Sequence, residues 1–136
     1  MELTFRSEGV DLDLEFMEVD ENDSNSLRFA ANVKLAHPTG AFIYSANDVW
    51  LDTNMWDLFE SSVINGLEQP ARLHDLSYFF EIHIIRGEKK LNLKINIKEP
   101  LVSNGEIMLT STQFLDIDGA FINQLRSSLK SFPKFW

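Results

Sequence analysis

The chain begins in alternation. In Asp11-Leu12-Asp13-Leu14-Glu15-Phe16, carboxylates and apolar groups take turns, the two-residue period of a strand with one wet face and one dry one. After a polar loop, Asp20-Glu21-Asn22-Asp23-Ser24-Asn25-Ser26, the period returns. Leu27, Phe29, Ala31, Val33 and Leu35 fall on one side, with Arg28, Ala30, Asn32 and Lys34 on the other. Two long strands joined by a loop predict an antiparallel pair. His37-Pro38-Thr39-Gly40 reads as a turn, and a further strand starts at Ala41 and runs to about Ala46, or on to Leu51.

The period then becomes helical. Met55, Trp56, Phe59 and Val63 recur at three- and four-residue spacing, with Leu58 beside them, while Asp57, Glu60, Ser61 and Asn65 take the opposite side. Asp52 or Thr53 suits the amino cap and Gly66 the stop, which gives a helix of about 13 residues and roughly 20 Å. Strand signals resume over Ala71–His74 and Ser77–Arg86, and Gly87-Glu88 suits a tight hairpin. Leu91, Leu93, Ile95 and Ile97 then alternate with Asn92, Lys94, Asn96 and Lys98 as far as Glu99-Pro100, and Ile107–Leu115 forms one more strand after the turn Ser103-Asn104-Gly105. A second helix is expected from about Gly119 to Ser131. Asp116 or Asp118 would cap it, Phe121, Ile122, Leu125, Leu129 and Phe132 would form its buried stripe, and Pro133 stands just beyond.

Strands, helix, strands, helix is not the strict alternation of a parallel sheet. The pattern predicts one α+β domain over residues 1–136: a single antiparallel sheet of about seven or eight strands with two helices packed on one face. Two helices cover roughly 20 Å, whereas seven strands span roughly 29 to 34 Å. The uncovered remainder must curl over, form a groove for a small molecule, or pair with a second copy as a homodimer. Phe135 and Trp136 are the obvious plug, packing back on their own domain.

Composition narrows the function. Cysteine is absent from the 136 residues, which removes disulfides, cysteine-ligated zinc, iron–sulfur clusters and thiol catalysis. Twelve basic against 21 acidic residues leave a charge of −9, which argues against nucleic acid or an anionic membrane as partner. No stretch approaches the roughly 20 apolar residues of a membrane helix, and Met1-Glu2-Leu3 lacks the basic flank of a signal peptide, so a cytoplasmic location is expected. The charge is uneven: residues 1–81 hold 16 acids and 4 bases, residues 82–136 only 5 acids and 8 bases.

Catalytic patterns are missing. His37, His74 and His83 have no metal-ligand spacing, and no nucleophile elbow, phosphate loop or dinucleotide fingerprint occurs, so neither a metal nor a cofactor is expected. Asp11 with Asp13, and Asp116 with Asp118, place carboxylates two apart, but a solvated strand face and helix capping account for them. The loop at Asp20 lacks the glycine and closing glutamate of a calcium hand. Lys94 and Lys98 are expected to pair across strands with acids. What stands out is a run of acids with no intervening base, Asp48, Asp52, Asp57 and Glu60, around Trp50 and Trp56. The dipole of the first helix accounts for Asp52. Asp48, Trp50, Asp52, Asp57 and Glu60 form the candidate patch for a basic protein partner.

The whole layout resembles the WapI-type immunity proteins, antidotes to polymorphic or contact-dependent toxins. The matching features are the opening strands (Leu3–Arg6, Asp11–Val19), the long third strand, Gly40-Ala41-Phe42, and the helix Trp56-Asp57-Leu58-Phe59-Glu60 after a strand ending near Trp50-Leu51. The ending Phe114-Leu115-Asp116-Ile117-Asp118, followed by Phe121-Ile122, Leu125 and Phe132-Pro133, completes them. The resemblance implies a cytoplasmic, non-enzymatic inhibitor that binds and occludes one toxin domain, with no catalytic residues to carry over. The acidic charge suits a basic, nuclease-like toxin.

Overall fold

The computed structural model describes residues 1–23, 25–134 and 136. Eight strands and two helices follow one another as β1 (Glu2–Ser7), β2 (Val10–Val19), β3 (Ser26–His37), β4 (Gly40–Asp52), α1 (Thr53–Ile64), β5 (Ala71–His74), β6 (Phe80–Arg86), β7 (Lys90–Pro100), β8 (Glu106–Asp116) and α2 (Ala120–Ser131). Every pairing is antiparallel, in two four-stranded sheets of order β1-β2-β3-β4 and β5-β6-β7-β8.

The single sheet expected from the sequence is therefore two. The reason lies between β4 and β5. Asp52, at the end of β4, turns its carboxylate onto the N–H groups of Asn54 and Met55 at 2.8 and 3.3 Å, so the strand runs directly into α1. After the helix, Gly66 and Leu67, at φ 83° and 61°, reverse the chain. β5 emerges beside α1 instead of β4, and the His74 N–H points at Met55 Sδ, 3.2 Å away. α2 packs near α1, Phe132 at its end lying 4.7 Å from Trp56, and lies along β1, where the Thr4 N–H reaches Ser128 Oγ at 3.4 Å.

Each sheet has one dry face, and both faces meet the helices in one cluster. Leu3, Phe5, Leu12, Leu14, Phe29 and Val33 enter it from the first sheet, Leu73, Ile82, Ile84, Leu93 and Ile95 from the second. Trp56, Phe59, Phe121 and Leu125 come from the helices. Phe29 stacks on Trp56 at 5.3 Å, and Phe5 touches both Phe59 and Phe121 at 6.2 and 6.4 Å. A four-stranded sheet is only about 14 Å between outer strands, so the width left bare by one broad sheet is taken up by folding the second sheet over the same core. Trp136 packs back on its own domain as expected, edge-on to Trp56 at 6.2 Å; the expectation for Phe135 falls outside the described residues.

Two local expectations are corrected. Neither Asp116 nor Asp118 caps α2: Gly119 is the cap residue and no side chain accepts there. β8 extends through Asp116, whose carboxylate is thereby turned across the ladder onto its register partner Lys90. β6 begins at Phe80, not Ser77, because the Asp75 carboxylate gathers the N–H groups of Phe79 and Phe80 at 2.7 and 3.0 Å into a loop.

Candidate functional site

Alternation on β1 and β2 buries Leu3, Phe5, Leu12 and Leu14, and by the same period turns Glu2, Thr4, Arg6, Asp11, Asp13 and Glu15 outward. The register sets Glu2 against Glu15, Thr4 against Asp13, and Arg6 against Asp11. One guanidinium serves two carboxylates, with Arg6 Nη2 at 2.6 Å from Asp13 and Nε at 3.4 Å from Asp11. Glu2 is less well served: burial first, then the charge and hydrogen bond of Asp13, raise its pKa, while Arg6 pulls the other way. On this outer side Glu2, Asp11, Asp13, Glu15 and Glu18 stand with Arg6, Arg28 and Lys34, the last opposite Asp11 in register, so carboxylates outnumber their cationic partners.

The five residues of the predicted patch are divided by the structure. Asp48 and Trp50 lie at the outer side of β4 and share Arg28. That guanidinium stands opposite Trp50 in register, 3.1 Å from Glu18 and 3.4 Å from Asp48, whose side chain is 79% exposed. Asp52 is the helix cap. Asp57 and Glu60 are held from within the chain: Lys134 Nζ donates to Asp57 Oδ1 at 2.8 Å and lies 3.2 Å from Glu60 Oε1, and the Trp136 indole N–H reaches the same Asp57 oxygen at 2.9 Å. Burial alone would raise the Asp57 pKa, but the hydrogen bonds from Lys134 and Trp136 and the Lys134 charge outweigh it and hold the carboxyl below its usual range. Asp48 and Trp50 thus join the carboxylates of β1, β2 and Glu18 on the first sheet, while Asp57 and Glu60 anchor the tail.

Alternation reads Asp11 and Asp13 as a solvated strand face, and Glu15 continues it. The signal was present in their alternation, but one acidic strand becomes a surface only when its neighbours are known.

The second sheet has a different outer side. Arg72, His83 and Lys94 follow one another across β5, β6 and β7 in register, with Arg72 bound to Glu81 at 2.9 Å. Lys98 makes the expected cross-strand approach to Glu106, at 4.0 Å; no ion pair is recorded for Lys94 among the described residues. A groove of about 440 Å³ opens between α1 and β5, floored by Met55, Leu58, Phe59 and Pro70, with Arg72 and His74 at its rim. His74 is committed locally, its Nδ1 2.8 Å from the Asp75 carbonyl and its ring stacked on Tyr78 at 4.1 Å. His37 Nδ1 lies 3.3 Å from Thr39 Oγ1 in the β3–β4 turn. Among the described residues no group of three or more His, Asp or Glu side chains is placed to hold a metal ion, and no helix is long and apolar enough to cross a membrane. Comparison with known proteins returns no matching family model, no matching curated protein and no matching solved structure.

Proposed function

We propose that this protein is a non-enzymatic immunity protein of the cytoplasm that binds a basic, nuclease-like toxin domain and occludes it. The observation that supports the reading is the excess of carboxylates on the outer side of the first sheet, carried by Glu2, Asp11, Asp13, Glu15 and Glu18 and continued by Asp48 at the other edge. Such a face attracts a cationic active site over distance, raising association toward about 10⁸ M⁻¹s⁻¹ at low salt. Trp50 then supplies the half-buried aromatic that a short-range contact needs.

The residues that report on this are those with the least structural duty. Glu15 has no ion pair recorded among the described residues and faces Glu2; Asp48 is 79% exposed. Reversing both, Glu15→Lys with Asp48→Lys, is expected to slow association with the cognate toxin domain about tenfold at low salt and to flatten its salt dependence. Trp50→Ala is expected to act on dissociation instead, shortening the complex lifetime about tenfold or more. An association rate that ignores both salt and the double reversal would overturn the reading. Asp57 and Glu60 are poor probes, because reversing them also releases Lys134 and Trp136.

A further inference from the structure

Four strands border the two sheets: β1 and β4 in the first, β5 and β8 in the second. A bare border presents unpaired N–H and C=O groups to any other strand, and folded proteins blunt it with cover, bulges, prolines or charges. Three of the four are blunted here. β1 has α2 alongside, with Thr4 N–H on Ser128 Oγ at 3.4 Å; β5 has α1, with His74 N–H on Met55 Sδ at 3.2 Å. β4 is bulged where its register with β3 shifts between Phe29 and Ala31, and its Trp50 carbonyl accepts the Leu76 N–H at 2.8 Å.

Among the described residues β8 shows no bulge, no proline and no charge away from its two ends, Glu106 and Asp116. It runs eleven residues and pairs with β7 without a register shift. From Ile107 to Leu115 it has no charge at all, while Met108 and Phe114 are 69% and 68% exposed. Gln113 is tethered, accepting from Ser7 Oγ at 3.1 Å and donating to the Glu8 carbonyl at 2.8 Å. Its side chain has the half-buried parity of Leu109, Ser111 and Leu115, so the tether engages that face, while Met108, Thr110, Thr112 and Phe114 stand on the exposed one.

The strand is also close to a palindrome. About Ser111 the flanking residues match as Thr110 with Thr112, Met108 with Phe114, and Ile107 with Leu115, while Leu109 opposite Gln113 breaks the pattern. In a two-fold antiparallel pairing residue i of one protomer meets residue j of the other and j meets i, so centring it on Ser111 sets threonine against threonine and apolar against apolar. We propose that β8 is a homodimer interface, pairing antiparallel with β8 of a second copy about Ser111 and joining two four-stranded sheets into one of eight. Thr110 then lies beside the partner's Thr112, and Met108 beside the partner's Phe114. The acids at the ends, Glu106 and Asp116, meet each other with Lys98 and Lys90 of their own chains already beside them. Sliding the register by two sets Met108 or Phe114 against threonine, so the apolar pairs favour the centred arrangement. The interface belongs to the second sheet and shares no residue with the carboxylate face, so it stands or falls apart from the toxin reading.

Sedimentation equilibrium over a concentration series tests it. The expected mass rises toward twice 15.7 kDa, and Thr110→Lys with Thr112→Lys, which brings like charges together twice across the axis, returns the protein to 15.7 kDa with its circular dichroism and unfolding midpoint retained. Mixing that variant with Thr110→Glu, Thr112→Glu is expected to restore a dimer containing one of each, a readout that misfolding of either variant could not produce. A wild type that stays monomeric at the highest concentration, a dimer indifferent to the lysines, open-ended polymers, or mass gained only with an added extended peptide would each overturn the proposal.

Discussion

Asp75 is 5% exposed, and its carboxylate is spent on the backbone N–H groups of Phe79 and Phe80, closing a loop in which Tyr78 is held at φ 58°. Asp75→Ala leaves two N–H groups without their acceptor and is expected to cost about 2 to 3 kcal/mol in chemical denaturation; Asp75→Asn, which keeps one oxygen, should cost less. A second residue-level case is Asp57. Its folded pKa is depressed, so the stability it contributes is present above the unfolded value and is lost as pH falls through the lower folded one. Acid titration followed by tryptophan fluorescence should therefore register release of Trp136 below the ordinary aspartate range. Asp57→Asn should remove that step. Trp136→Ala, which takes away both the ring against Trp56 and the indole N–H, is expected to cost about 1 to 3 kcal/mol.

At the scale of elements, α1 is the hinge of the architecture, and its start depends on Asp52. Asp52→Ala is expected to lower stability by about 1 kcal/mol with an unchanged denaturant slope, and Asp52→Asn to restore most of it. The same helix explains what the sequence could and could not disclose. Period two over Asp11–Phe16 and Leu91–Lys98, and period 3.6 over Met55–Val63, are local properties of the chain, and the strands and helices appear where those periods place them. Which strands become neighbours is not local. β4 and β5 both read as good strands, and nothing in either says that a helix capped by Asp52 will separate them into different sheets. The candidate patch divides along the same line. Asp52 could be recognised as a cap from the residues beside it, whereas Asp57 reads as solvated until Lys134 and Trp136 are brought in from 77 and 79 positions away.

Across the whole molecule Tyr44 is one of the polar contacts that fasten the two sheets, beside Gln113 to Ser7 and Glu8 and the Leu76 N–H to the Trp50 carbonyl. Its hydroxyl donates to Glu99 Oε1 at 2.5 Å and its ring stacks on Phe80 at 6.1 Å. Burial first, then the hydrogen bond to Glu99 and the nearby negative charges of Glu99 and Asp75, push its pKa well above the ordinary tyrosine value. The stability it contributes is full below the unfolded pKa and is lost as pH rises through the folded one. Tyr44→Phe keeps the ring stack, and is expected to lower stability by about 1 kcal/mol and to remove the late phenol from a spectrophotometric titration.

The cover that α2 gives β1 bears on how the chain reaches this state. Thr4 and Ser128 are 124 positions apart, and Phe5 finds one of its ring partners only in Phe121. β1 is thus bare along one border in any state in which α2 has not docked, and closing that border takes contacts that span nearly the whole polypeptide. Folding should accordingly be slow, in the millisecond-to-second range of sheet-rich topologies, and a chaperone that holds the amino-terminal sheet should raise the yield more than one that acts on the second.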